Sequence, residues 1–299
     1  MRNFFILIAP AVFVLLWSTG FIGSKMGAPY ADPMVFLSLR FFLVLPLLLA
    51  IIVAAKAKWA GSPSQILHCI VTGILVHGVY LGGVFWAIDN GMPAGASAII
   101  VGLQPVLSVL AAAVVLRDPI APKHWAGLAL GGAGLVLVLG PKLGAVDSGI
   151  APLTILSVVA AVVAISLGTV YQKRFVPQTD LLTATFWQYV GALAFCLPLT
   201  LRESWTIDWS GEFVFALVWL VLVLSIGAIL LLMVLIRQGA VSDVASLFYL
   251  VPVATAVESY FLFGETLSVT QVAGMAMVVC AVLLIRLKFG KRTSLQASR

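Results

Sequence analysis

PMVFLSLRFFLVLPLLLAIIVA, Pro33 to Ala54, contains a single charged residue, Arg40. A helix rising 1.5 Å per residue would carry this stretch across the roughly 30 Å of a bilayer's hydrocarbon core. In that setting a helix is favoured because it satisfies every backbone polar group internally. The rest of the chain is built alike. Of 299 residues, 62% are hydrophobic and 9% charged, against about a quarter charged in soluble domains. An all-α membrane protein follows. Seventeen Lys and Arg outweigh eleven Asp and Glu, but the charges lie between apolar runs and not on one solvated face, which argues against nucleic acid as a partner. Cys69, Cys196 and Cys280 stand far apart in apolar runs without metal-ligand spacing, and read as core or lipid-facing residues.

Ten segments are long and apolar enough to be spans: Phe4 to Ser24, Pro33 to Ala54, Ile66 to Ile88, Pro93 to Leu116, Trp125 to Gly140, Ala151 to Gln172, Leu181 to Leu201, Phe213 to Ile236, Ser242 to Phe263 and Val269 to Leu287. The start, MRNFFILIAPAVFVLL, has a signal peptide's charged beginning and apolar run. No A-x-A-like cleavage site follows, so it is taken as the first span. Cytoplasmic loops are enriched in Lys and Arg. With the N-terminus inside, thirteen basic residues fall on the inner face and three on the outer, Lys25, Lys142 and Arg202, leaving Arg40 within a span. Both termini are expected in the cytoplasm, the second after a short basic tail.

The two halves match at an offset of 148: Ser18 with Ser166, Gly20 with Gly168, Lys25 with Lys173, Asp32 with Asp180 and Gly91 with Gly239. After a one-residue gap the offset is 147, pairing Pro105 with Pro252 and Asp118 with Glu265. The units are residues 1–145 and 146–299. Each holds five spans, an odd number, so the second enters the membrane inverted. Inverted repeats build secondary transporters, whose halves exchange conformations around a central site. Pro105 and Pro252 each remove a backbone donor within a span and kink it, either as cavity-shaping breaks or as static packing features.

The stretches LLWSTGFIGSK with Trp17 and Lys25, LSLRFF, GLQPVLSVLAAAVVLRD followed by WAGLALGGAGLVLVL, and ASLFYLVPVATAVESYFLFGETLSVTQVAG come in that order along the two repeats. Together they resemble the EamA branch of the drug/metabolite transporter superfamily. The resemblance covers nearly the whole chain. It implies a ten-span bundle that carries small metabolites, often exporting amino acids or related solutes across the bacterial inner membrane, and an Arg-Phe pair in the second span of carriers with differing substrates. Asp118 stands where the family more usually has glutamate, and Glu258 lies outside the common pattern.

A charge in hydrocarbon costs at least a few kcal/mol, so Arg40 is expected to face the bundle interior and find a partner. Counting about 1.5 Å per residue, Arg40 lies roughly 10 Å and Glu258 roughly 8 Å below the outer surface. The shared level suggests an ion pair that closes the cavity and yields to a substrate's carboxylate. A permanent structural pair is the other reading, as is an Arg40 that satisfies backbone carbonyls. Gln188 matches Arg40 at the 148 offset, and its neighbours Trp187 and Tyr189 could form amphipathic walls. His77, central in the third span, could titrate during a proton-coupled cycle or bond a backbone carbonyl as a neutral ring. Tyr80 shares its helical face. Trp17, Gln104, Tyr171, Gln172 and Tyr249 are further candidates, whereas Trp59, Trp205 and Trp209 read as interfacial anchors.

Asp118 and Glu265 precede helix starts, where a carboxylate is favourable without any role in transport. Gly127 and Gly131 form a GxxxG that suits close packing within the monomer. No HExxH, nucleophile elbow or metal-ligand cluster points to an enzyme, and no metal or cofactor is called for. The spans hold too few polar residues for a channel's continuous pore. The expectation is an alternating-access exporter of small polar metabolites. Glu258 and His77 could carry its protons, and facilitated diffusion would need neither.

Overall fold

The computed structural model describes residues 2–59, 61–92, 94–117, 122–143, 151–238, 246–263 and 268–286. These are helical apart from short connections and one isolated β-bridge between Ala31 and Ile207. The helices are α1 (Arg2–Gly27), α2 (Pro33–Ala55), α3 (Pro63–Asp89), α4 (Ala94–Val101), α5 (Gln104–Val115), α6 (Pro122–Leu143), α7 (Pro152–Phe175), α8 (Leu181–Cys196), α9 (Gly211–Arg237), α10 (Leu250–Phe263) and α11 (Val269–Arg286). Helix runs through the described parts of the ten expected segments. Among the described residues six helices are long and apolar enough to cross a membrane: α1, α2, α3, α7, α9, and α8 with its 3₁₀ extension Leu197–Arg202. Phe42, Val114, Leu201 and Phe261 are among the apolar side chains left exposed, as a lipid-facing surface requires.

The fourth segment departs from a continuous span. It is two short helices, α4 and α5, broken at Gly102 and Leu103, with Pro105 in the first turn of α5. Proline lacks the N–H that would bond back across the break, and its ring suits a helix's first turn. At the 147 offset the second half does the same: a 3₁₀ turn, Ser246–Tyr249, leads into α10, with Pro252 in its first turn. Pro105 therefore stands at a helix start after a break, and Pro252 at a helix start after a 3₁₀ turn. The half-chain boundary at 145/146, Asp118 and Glu265 lie outside the described residues.

Close contacts fix the relative directions. Gly20 of α1 lies on Leu224 of α9 and Gly23 on Leu220, so these helices are antiparallel. Gly168 of α7 meets Val76 of α3, and Gly83 meets Ser157, so α3 and α7 are antiparallel too. Short connections make neighbours within a half alternate. Hence α1 and α3 share one direction, α7 and α9 the other, and the second half is inverted.

The packing repeats under exchange of halves. α3 packs on α7 as α9 packs on α1, α5 on α7 as α10 on α1, and α3 on α8 as α9 on α2. The equivalent helices α2 and α8 touch each other, as do α6 and α11, which places both pairs on the pseudo-twofold axis. Gly134 meets the Gly274 backbone across the α6–α11 pair, while Gly131 makes room for the Tyr249 ring, so the second glycine of the GxxxG is used for packing within the monomer. Gly91, at φ 86°, ends α3 in a conformation that L side chains rarely adopt.

Candidate functional site

A cleft opens among α1, α2, α3 and α9, lined by Trp17, Phe21, Arg40, His77, Tyr80 and Phe85 together with aliphatic side chains. Trp17 and Tyr80 stack at 6.4 Å. Arg40 is 3% exposed, so it has left water. Its Nε donates to Ser225 Oγ at 2.8 Å, and the Tyr189 hydroxyl stands beside the guanidinium. Among the described residues no carboxylate faces it. A buried cation is costly unless it is compensated, and the compensation described here comes from neutral hydroxyl groups.

The expected Arg40–Glu258 pair is not made. Glu258 Oε1 lies 2.6 Å from Ser18 Oγ instead. A depth counted along each helix leaves lateral position open: α10, with Glu258, packs on α1, whereas α2, with Arg40, packs on α8 and α9. Ser18 has one hydroxyl hydrogen, and the Leu15 carbonyl at 2.9 Å is its other acceptor. When that hydrogen goes to Leu15, the carboxyl of Glu258 must carry the proton that makes the 2.6 Å contact.

On the other side of the axis His77 Nε2 lies 3.3 Å from Gln188 Oε1. An amide oxygen only accepts, so in this arrangement Nε2 is the protonated ring nitrogen. The ring stacks on Tyr189 with centroids 4.6 Å apart. His77 Nδ1 and Gln188 Nε2 are buried without partners among the described residues. Gln188 thus touches the site through His77, and does not line the cavity. The remaining candidates are not brought to it. Tyr171 bonds His68 Nδ1 at 2.7 Å, Tyr249 packs with Leu128 and Val278, and Gln104 is buried where α5 begins. Gln172 lines a separate cleft with Lys173 and Arg237. No group of His, Cys, Asp and Glu that could hold a metal occurs among the described residues.

Sequence reasoning missed Ser225 as a partner of Arg40, and the carboxylates at the end of the bundle where α2 begins. There Glu203 accepts from the backbone N–H groups of Met34 at 2.9 Å and Val35 at 2.7 Å, capping a helix of the other half. Asp32 accepts from Ser204 N at 2.7 Å and Ser204 Oγ at 2.6 Å, and Tyr30 donates to Glu212 at 2.6 Å. With the Ala31–Ile207 bridge these contacts clasp the two halves together.

Partial burial pushes the Glu203 carboxyl above the usual glutamate range, and the charges of Asp32 and Asp89 add to this, although the Met34 and Val35 amides pull the other way. A clasped carboxyl that holds its proton more tightly than one in water makes proton uptake favour the clasp. Acidification through Glu203's range is therefore expected to slow amide exchange at Met34 and Val35, after correction for the intrinsic rate, and Glu203→Gln to remove that dependence. Faster corrected exchange at low pH would reverse the sign.

The model of a family described as "EamA-like transporter family" matches residues 4–140 and 152–287. The chain is 27% identical to an uncharacterized transporter, YvbV, of Bacillus subtilis, covering 93% of this chain and 90% of that protein. It is 26% identical to a probable amino-acid metabolite efflux pump of Salmonella typhimurium, over 90% of each. An uncharacterized inner membrane transporter of Escherichia coli, YedA, is 25% identical over 91% of this chain and 88% of that one. A solved crystal structure shares the fold, with a TM-score of 0.77 at 22% identity, covering 93% of this chain and 95% of the other.

Proposed function

The chain belongs to the EamA-like transporter family, and from that premise we propose that it is a secondary transporter exporting small polar metabolites, amino acids or related carboxylates first, across the bacterial inner membrane by alternating access. The carrying observation is Arg40, a buried guanidinium on the cavity wall with no carboxylate opposite it among the described residues. Such a group matches a carboxylate's two oxygens with paired N–H donors. The relative named as a probable amino-acid metabolite efflux pump supports the same class.

The inverted halves supply the movement. Asp180 caps its own helix, α8, through Leu182 N and Thr183 N. Its counterpart Asp32 makes no such bond, because Glu203 occupies the start of α2 from the other half. When the halves exchange conformations, Asp32 returns to cap α2 as Asp180 caps α8, and Glu203 lets go. In this reading the clasp ties the two halves at the end of the bundle where α2 begins, and opening it exchanges one helix cap for another.

The test is flux through the purified protein in liposomes, with labelled amino acids and related carboxylates, with and without a proton gradient. Saturable flux of a carboxylate supports the reading, and ohmic single-channel current or no flux by a folded protein overturns it. Glu258 is the proton carrier in this scheme. Glu258→Gln keeps a hydrogen bond to Ser18 but cannot titrate, so it is expected to leave saturable exchange within about threefold of wild type while abolishing acceleration by the gradient. Gradient-driven flux that survives in Glu258→Gln would remove Glu258 from coupling, and flux indifferent to the gradient in the wild type would make the protein a facilitator.

A further inference from the structure

The contact between Arg40 and Ser225 occurs twice in the fold, with different chemistry. At the 148 offset Arg40 corresponds to Gln188, Ser225 to His77 and Phe41 to Tyr189. Arg40 of α2 reaches Ser225 of α9, and Gln188 of α8 reaches His77 of α3. Each bond joins opposite halves. Moreover, Ser225 and His77 both stand in π-helical stretches, Leu220–Ala228 and Ile74–Val79, at equivalent places in the two repeats. Wider π turns are rare and concentrate at functional sites. The stretch with Ser225 is held from outside, because the Tyr189 hydroxyl donates to the Ser225 carbonyl at 2.9 Å. Ser225 is therefore fixed through its backbone by the same side chain that stands beside the guanidinium.

We propose that Ser225 is the positioning residue of the anion site: by taking Arg40 Nε, it orients the guanidinium so that the terminal N–H groups not taken by the Tyr189 hydroxyl are the donors offered to the cavity. This rests on the reading of Arg40 as the carboxylate anchor. Arginine has five N–H donors in a planar fork, and fixing Nε fixes the plane and direction of the remaining four. A flexible arginine would have to be ordered by the substrate at each cycle, which costs affinity. The neutral copy of the contact, His77 with Gln188, offers no charge, so the duplicated architecture places its one cationic donor on the α2 side of the axis.

A double-mutant cycle in liposomes, with flux of the transported carboxylate as readout, tests this. Ser225→Ala is expected to raise KM about tenfold with maximal flux within twofold, the size of a lost hydrogen bond to a charged group. Lysine has no Nε–H, so in an Arg40→Lys background Ser225→Ala is expected to add nothing. A structural serine would instead cost the same in both backgrounds, and additive losses would overturn the proposal. Ser225→Thr, which keeps the hydroxyl, is expected to restore KM. If Arg40→Lys leaves flux unchanged, the carboxylate reading itself falls. If Arg40→Lys lowers flux while Ser225→Ala leaves KM at the wild-type value, Ser225 alone is excluded.

Discussion

Arg40→Gln is expected to lower carboxylate flux roughly 100-fold and, at the same time, to leave the unfolding midpoint in detergent unchanged or raised. The two signs have one cause. Removing one partner of a desolvated charged contact costs about 2–5 kcal/mol, which is roughly 30-fold to several-thousand-fold in affinity. The same charge burdens the empty protein, because a cation within the hydrocarbon region costs at least about 2.5–3.5 kcal/mol unless compensated. Here its described partners are the neutral groups of Ser225 and Tyr189. An arginine kept for structure behaves in the opposite way, since breaking a buried ion pair destabilises by about 3–5 kcal/mol. Lost flux with a lowered midpoint would thus return Arg40 to a structural role, and lost flux with an undiminished midpoint assigns it to the substrate. Equilibrium unfolding in mixed micelles alongside the flux assay makes the distinction.

The family, the helical class and the duplication were legible in the sequence, because each rests on features a chain displays in one dimension. Apolar runs report span length, and matched residues such as Asp32 with Asp180 and Pro105 with Pro252 report the repeat. Arg40's burial was equally readable, since a charge in an apolar run has to turn inward. Its partner was not. Helical rise gives depth alone, and residues counted to one depth can sit on helices that do not bring them together, as Arg40 and Glu258 do. Ser225 was hidden for a different reason. A π stretch inserts residues into the helical register and leaves no periodic signature, so the face on which Ser225 stands could not be counted from the sequence. Its one available signal was the 148 offset, which aligns it with His77 once Arg40 has been aligned with Gln188. Cross-half contacts such as Glu203 on the start of α2 depend on loop geometry, about which composition says nothing.

Gly73 carries the second large effect. A methyl group there would overlap the backbone carbonyl of Gln188, and one on Gly191 would come within 2.5 Å of the Ile70 carbonyl oxygen. α3 and α8 therefore cross backbone against backbone, as small residues allow within a membrane. Overpacking usually costs about 1–3 kcal/mol because side chains shift. A carbonyl fixed in a helix cannot, so Gly73→Ala is expected at or above the top of that range, about 3 kcal/mol. The consequence reaches the site, since His77 lies one turn beyond Gly73 on the same face, and its contacts with Gln188 and Tyr189 are made across this crossing. Separating the helices breaks the neutral member of the duplicated contact. Flux is expected to fall along with stability, in contrast to Arg40→Gln, where they part. Gly132→Ala is the control: a methyl there meets nothing within 4 Å, and the gain in helix propensity is about 0.5–1 kcal/mol. Unfolding in mixed micelles separates the two outcomes. If Gly73→Ala were as stable as Gly132→Ala, α3 and α8 would not be held at backbone contact, and the position of His77 would have to be set from elsewhere.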